Sequence, residues 1–518
     1  MTKDIIRVIN RFYGGITRDD KSRILGVGSN IEELDIFDNG DFIQAEQIVT
    51  NETLPATTEI YSYTAGDDDI MYAYGRATEA TAGRVRLLSV ASGGADNPGN
   101  FTTLFTSTDT TNLATRISDF KFFRTSESQA TYLYYLNGTG TTWRLMRYNI
   151  TAATEALVGT LTGLNGSFDR PTIKVIFGEL FICHNNLIAK VSSAGVYTNA
   201  AFTLPREWQA VDIIPVGNVS LILCRNRNRL LNRSKGYWWD LVSTTQFSDA
   251  FEIPVGGPCW VINHQETIKI LCAINGRAYF FQLSGAFQGG IPIEMTGMRL
   301  SNIGVETSTR PISQAKMVSI KDKILYFGLL KTDKSGIYAI GQLDNNTSTA
   351  LILSKRFGTT DYSLHRPTGL YIQGSNYYAC FDDNGTETAT RCESNNNPTR
   401  SSNARYESVW IDFDILLQDK NLNEVIITTK RLPASTSLTV LAASDYLEAV
   451  DGDFTQMNRA DNTIYNTTNA VIGRMKGTAF NNKKAFKIRV NFVSSTTNSP
   501  RLQSISLLST IKSEIAQL

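Results

Sequence analysis

The stretch TIKVIFGELFICHNNLIAKV, from Thr172 to Val191, decides the fold class. It reads as a short strand, a turn at Phe177–Gly178, a richer apolar strand, a turn at Asn185–Asn186 and a third strand. Alternating or continuous apolar runs of this length, broken by Gly and Asn, mark β structure. MVSIKDKILYFGLL, from Met317 to Leu330, repeats the pattern. The units, these two among them, start near Glu59, Arg116, Pro171, Trp208, Gly257, Ser313 and Pro367. The period is roughly 50 residues, in the range of propeller blades. No apolar stripe at helical spacing runs for three turns. The expected fold is all-β: a propeller of about seven divergent blades, six to eight being compatible with the spacing. The repeats lack the GlyHis and TrpAsp signature of WD40 blades, the paired glycines of kelch and the Asp boxes of sialidases.

Outward from the array, the chain falls into three parts. Residues 1–54 read as an N-terminal assembly segment. In it Asn30 to Ala45 forms strand, AsnGly turn and strand, a strong hairpin signal. Residues 55–400 hold the propeller. The polar run Glu393 to Asn403 leads into residues 401–518, where the alternation becomes strict. Strands are expected at Tyr406–Ile415, Asn423–Lys430, Ser437–Asp445, Ala485–Val493 and Leu502–Ser509, in a C-terminal β-sandwich or jelly-roll.

With 518 residues, more than one domain is expected, and 42% hydrophobic and 10% aromatic content suits real cores. Fifty Lys+Arg against 49 Asp+Glu gives a net charge of +1, unlike a dedicated nucleic-acid binder. The N-terminus has no apolar signal-peptide core. Cys183, Cys224 and Cys272 lie inside apolar runs and read as buried thiols made in a reducing compartment. Cys380 and Cys392 flank the Asn384–Gly385 turn and are a candidate disulfide pair.

Four groups attract a chemical reading, each with a structural alternative. Arg225, Arg227 and Arg229 alternate with asparagines and suit an anionic partner, or else blunt a strand edge. Tyr237, Trp238 and Trp239 suit sugar stacking or an interface anchor, or else blade packing. Phe12, Tyr13, Gly14 and Gly15 set two glycines after two aromatics in the assembly segment. Asp67–Asp69 and Asp382–Gly385 carry hard oxygen ligands at turns, where such residues also occur on backbone grounds. His184, His264 and His365 stand beside no nucleophile motif, and GxSxG, HExxH and P-loop patterns are absent. No catalytic residue, metal or cofactor is assigned.

FYGGITRDD from Phe12, followed by NIEELDIFDNGDF from Asn30, resembles the opening of tailed-bacteriophage tail structural proteins of the nozzle and tail-tip type. The closing strands from Tyr406 to Leu508 look like the β-sandwich that ends several of them. The resemblance implies a non-enzymatic virion component, made in the host cytoplasm and assembled into a ring or other symmetric oligomer. Its partners would be copies of itself, neighbouring tail proteins and passing genomic DNA bound without sequence readout, with no membrane anchor. A receptor- or glycan-binding propeller is the alternative, and a propeller glycosidase the third reading.

Overall fold

The structure is a computed structural model of the chain. It describes residues 2–10, 15–16, 27–32, 34–35, 43–44, 48–49, 58–66, 70–77, 84–90, 101–108, 119–125, 131–139, 142–161 and 171–228. It continues through 231, 233–245, 249–264, 267–274, 277–284, 294–299, 318–321, 324–329, 336–341, 350–353, 365–373, 376–383 and 386–392. In the last part it describes 404–414, 418–446, 453–460, 463–476, 480–495 and 498–512. These residues form strands and turns, with no α-helix among them.

Seven antiparallel up-and-down groups of four strands follow one another, and they make the chain a β-propeller. Blade 1 is Thr58–Ala65, Met71–Ala77, Val85–Val90 and Phe101–Thr106; blade 2 runs from Phe120–Arg124 to Thr154–Leu161. Blade 3 is Thr172–Ile176, Glu179–His184, Leu187–Val191 and Tyr197–Thr203. Blade 4 is Trp208–Val216, Val219–Asn226, Ser234–Trp239 and Asp249–Ile253; blade 5 runs from Pro258–His264 to Glu294–Arg299. Blade 6 runs from Val318–Lys321 to Ala350–Leu353. Blade 7 takes His365–Gln373, Asn376–Asp383 and Thr386–Cys392 from the array and its fourth strand, Ile48–Val49, from the N-terminal segment. Its innermost strand meets the innermost strand of blade 1, which closes the ring.

Side-chain alternation explains why the units stack. In the second strand of blade 3, Leu180 and Ile182 join a cluster with Tyr134 and Leu136 of blade 2. Phe181 and Cys183, one residue out of phase, join Trp208, Ile222 and Trp239 of blade 4. The same division repeats in blade 4, where Leu221 and Leu223 face Val261 and Ile270 of blade 5. A central strand covered on both faces reads as a continuous apolar run. The outer strand Tyr197–Thr203 is largely solvated, and its polar alternation shows it.

The turn at Phe177–Gly178 joins paired Ile176 and Glu179 with two residues, both at positive φ, 51° and 74°. That is the type I′ geometry, which favours AsnGly. Phe177 is 55% exposed, so its ring contributes little packing to offset the left-handed backbone. Phe177→Asn is expected to stabilise the protein by about 0.5–1 kcal/mol, measured as a higher denaturation midpoint with an unchanged slope.

The N-terminal segment does not stand apart as a unit. Thr2–Asn10 pairs along its whole length with Leu502–Lys512. Val27–Glu32 pairs with Arg405–Ser408 and touches the outer strand of blade 6 at Leu353. The expected hairpin is present as Leu34–Asp35 paired with Ile43–Gln44; its turn lies outside the described residues. Segment 1–54 therefore supplies strands to blade 7 and to both sheets of the C-terminal unit.

Those two sheets are Thr2–Asn10, Leu502–Lys512, Lys420–Thr429, Ile472–Lys476, and Arg405–Ser408, Phe486–Val493, Ser437–Ser444, Thr455–Met457. Val425, Ile427, Leu502, Ile505 and Leu507 of the first share one cluster with Tyr406, Val440, Ile488 and Val490 of the second. Tyr326 and Ile337 of blade 6 belong to the same cluster. The strand expected at Tyr406–Ile415 ends at Ser408 instead. Phe413 and Asp414 beyond it take φ of 55° and 62°, a reversal that no strand can absorb.

The disulfide reading is corrected. In the blade 7 ladder Cys380 faces Ala389 and Cys392 faces Tyr377. Three rungs of backbone register separate the two residues, about 10 Å along the strands, beyond what a disulfide spans.

Candidate functional site

Among the described residues, the innermost strands carry polar groups that bond from blade to blade. Asp119 precedes the first strand of blade 2. Its Oδ1 accepts from the Phe120 N–H at 2.9 Å and from Ser62 Oγ of blade 1 at 3.5 Å. Its Oδ2 accepts from the Ile173 N–H of blade 3 at 3.3 Å. Asp212, in the first strand of blade 4, repeats the device: Oδ1 accepts from Ile213 N–H at 3.0 Å and Oδ2 from Val261 N–H of blade 5 at 3.2 Å. Lys174 of blade 3 sets its Nζ 3.4 Å from Asp212 Oδ1. Thr172 Oγ1 donates to the Val211 carbonyl at 2.9 Å.

A first strand has one ladder edge without a strand partner, so its backbone N–H groups need acceptors. Carboxylates reaching from the neighbouring blade supply them, as charge-assisted bonds. Burial works against the ammonium of Lys174, but the Asp212 and Asp119 carboxylates outweigh it and hold its pKa above the ordinary 10.5. The group is a circumferential latch across blades 1 to 5.

A second clasp sits between blades 1 and 2. Glu155 accepts from Ser107 Oγ at 2.6 Å, from the Thr108 N–H at 3.3 Å and from the Tyr135 hydroxyl. Burial, then the Glu155 charge, pushes the Tyr135 phenol well above its ordinary range, which keeps it a donor.

The arginines of the basic stretch are engaged within the fold. Arg225 Nε donates to Gln209 Oε1 at 2.8 Å. Arg227 Nη2 donates to Asn185 Oδ1 and, at 3.1 Å, to Asn186 Oδ1, so it ties the blade 3 turn to blade 4. Asn185 holds that turn with φ of 50°, and its carbonyl accepts from the Ala210 N–H at 2.7 Å. Arg229 lies outside the described residues.

The aromatic trio is not available to a ligand, which corrects the recognition reading. Tyr237, Trp238 and Trp239 are 2%, 0% and 1% exposed. Tyr237 and Trp239 fill the blade 3–4 gap, where Trp239 stands edge-on to Phe181 at 5.8 Å. Trp238 points the other way, into the blade 4–5 gap beside Phe251. Consecutive residues of a strand take opposite faces, so three large rings in a row serve two interfaces.

Phe12, Tyr13 and Gly14 lie outside the described residues; Gly15 opens a two-residue strand paired in parallel with Val27–Gly28. Asp67–Asp69 also lie outside them. Among the described residues no group of three or more His, Cys, Asp or Glu is placed to hold a metal ion. His184 is buried, and His264, also buried, has Nδ1 3.0 Å from Lys269 Nζ. Cys183, Cys224, Cys259 and Cys272 are buried free thiols, and burial pushes Cys272 up to about 12. A thiol held that far from ionising is a poor nucleophile.

Sequence reasoning missed Asp119, Lys174, Asp212, Asn185 and Glu155. The available signal was a charged residue inside or just before the apolar run that opens a blade, as in DFKFF, TIKVI and AVDIIPV.

The strand order defines a β-propeller protein, and here comparison with known proteins adds little. No family model and no curated protein matches the chain. Among solved structures it is similar to Chaetomium thermophilum Raptor, with 8% identity and a TM-score of 0.44 over 69% of this chain and 30% of that one. Saccharomyces cerevisiae Sqt1 shows 10% identity and a TM-score of 0.40 over 68% of this chain and 90% of its own. The β-propeller domain of the Trilobed protease from Pyrococcus furiosus shows 8% and 0.37, over 65% and 96%. At these values the likeness concerns the fold and no activity.

Proposed function

We propose that this chain is a non-enzymatic structural component of a bacteriophage tail, of the nozzle or tail-tip type, assembling with copies of itself. What supports the reading is the resemblance at the two ends together with one observation. The two stretches that carry it, hundreds of residues apart, are hydrogen-bonded to each other: Val27–Glu32 pairs with Arg405–Ser408. The segment that resembles the opening of tail proteins and the strands that resemble their ending thus make one unit beside the ring. In this reading the propeller is a rigid body, the C-terminal unit and its N-terminal strands are the attachment, and recognition resides in loops. Neighbouring tail proteins and DNA passing without sequence readout are the partners.

The test is antibody labelling of this chain on purified tailed particles, viewed by electron microscopy, with mass spectrometry of the same particles. Label at the tail is the expected result. Absence of the chain from purified particles overturns the proposal.

A further inference from the structure

The first sheet of the C-terminal unit ends in two edge strands, Thr2–Asn10 on one side and Ile472–Lys476 on the other. Four of the eleven exposed large apolar side chains among the described residues lie at these two edges. Ile6 is 65% and Val8 40% exposed on the first; Ile472 is 55% and Val471, just before it, 45% exposed on the second. Single exposed apolar residues are ordinary, but proteins usually blunt sheet edges with charge, proline or cover.

Here the second edge is covered at one end only. The Lys476 N–H donates to the Asn458 carbonyl at 2.9 Å. Inward, the Val471 carbonyl accepts from the Thr429 N–H at 2.9 Å. Strand alternation then turns the backbone groups of Ile472 and Arg474 outward with those of Lys476. No described residue pairs with them. On the first edge, Leu502–Lys512 is the ladder partner among the described residues.

The senses of the strands fit a join. Thr2–Asn10, Leu502–Lys512, Lys420–Thr429 and Ile472–Lys476 are successively antiparallel, so the two edges run in opposite directions. The rows Ile6–Leu508–Glu424–Lys476 and Val8–Ser506–Ile426–Arg474 place the even-numbered residues of both edges on one face. An edge laid antiparallel on the other edge of a second copy keeps that face continuous. With Arg474 opposite Asp4, Ile472 comes opposite Ile6; Thr2 then faces Lys476 and stays out of the ladder, because the Lys476 N–H already goes to Asn458. One register thus supplies an ion pair and an apolar pair across the same junction. Within one copy Arg474 Nη1 stands 3.2 Å from Glu424 Oε2, and Asp4 Oδ1 accepts from Thr510 Oγ1 at 3.1 Å. Both contacts lie at the surface, and a guanidinium with five N–H donors can serve two carboxylates at once.

We propose that copies of this chain join head to tail by adding the Thr2–Asn10 strand of one to the Ile472–Lys476 strand of the next. The proposal rests on the reading of the chain as a self-assembling component and names the surface that does it. The contact is heterologous, so it repeats until a rotation closes it into a ring. The face bears Asp4 and Glu424 against Arg474 and Lys476, a balance that suits a second copy and not a polyanion.

The experiment is sedimentation velocity of the full chain over a wide concentration range, with circular dichroism to confirm folding of each variant. The wild type is expected to form species larger than a monomer. Asp4→Lys and Arg474→Glu, both at solvent-facing positions, are each expected to weaken association on the order of tenfold, and the double variant to recover it. Ile6→Lys is expected to weaken it without rescue by either. A wild type that stays monomeric, or a double variant no better than the singles, overturns the join. The outcome is separable from the tail reading: a monomer found in tail particles overturns only the join, and a charge-rescued oligomer absent from particles overturns only the tail role.

Discussion

Asp212→Ala is expected to destabilise the protein by about 3 kcal/mol, the lower end of the 3–5 typical when one partner of a buried ion pair is removed. The Asp212 side chain is 2% exposed and accepts from two backbone N–H groups on different blades. Its loss leaves the Val261 N–H without its carboxylate and Lys174 without its near anion. The lower end applies because Lys174 keeps 30% of its side chain exposed and recovers some hydration. Asp212→Asn retains one acceptor oxygen and should lose roughly half as much. Guanidinium unfolding followed by tryptophan fluorescence measures both. The pH dependence follows from Lys174. Its folded pKa lies above the ordinary 10.5, so its stabilisation is fully present below that value and is lost as pH rises through the higher folded value. The gap between wild type and Lys174→Met should therefore be constant at neutral pH and shrink above about pH 10.5. A variant as stable as wild type would show that the latch contributes nothing.

Trp238→Ala is the second large effect, with an expected cost of about 3–5 kcal/mol. Trp238 is fully buried among Leu221, Leu223, Phe251, Val261 and Ile270, so its removal opens a cavity between blades 4 and 5. Collapse onto it is limited. Phe251 already covers Gly236, whose added Cβ would sit 2.4 Å from the ring, so the ring has no freedom to shift toward the strand. Were the aromatic trio a ligand platform, the substitution would spare stability and abolish binding. The buried position predicts the reverse. A lowered denaturation midpoint is the expected reading, and an unchanged midpoint would return the trio to the surface.

The repeat was legible because a blade is a local object. The unit starts read at Trp208, Gly257 and Pro171 fall within a residue of the observed strands at Trp208, Pro258 and Thr172. Arg116 and Ser313 precede theirs, at Phe120 and Val318, by four and five residues. What was illegible is what joins distant residues. Ile48–Val49 is two residues long and carries no periodicity, yet it completes blade 7. Asp119 bonds to a residue 54 positions on and Asp212 to one 49 positions on, close to one blade repeat in each case. Within its own window each looks like any strand carboxylate, and only the ring brings the acceptor to its donor. The arginines' intramolecular partners were hidden for a related reason. Alternating Arg and Asn reads as a surface loop, but Asn185 and Asn186 of the preceding blade take up Arg227. The aromatic trio carried both readings in its sequence, and burial decided between them.

The borrowed strand of blade 7 also sets a schedule for the ribosome. Ile48–Val49 emerges early, but its partners Arg391 and Cys392 emerge more than three hundred residues later. At about 5–20 residues per second the early strand waits roughly 20–70 s for them. The strand Thr2–Asn10 waits longer still, for Leu502–Lys512. Throughout that interval the ring stays open and segment 1–54 remains without its long-range ladders. Nascent chains of this protein therefore pass through a long period with unpaired strand edges, during which those edges are open to pairing with other chains.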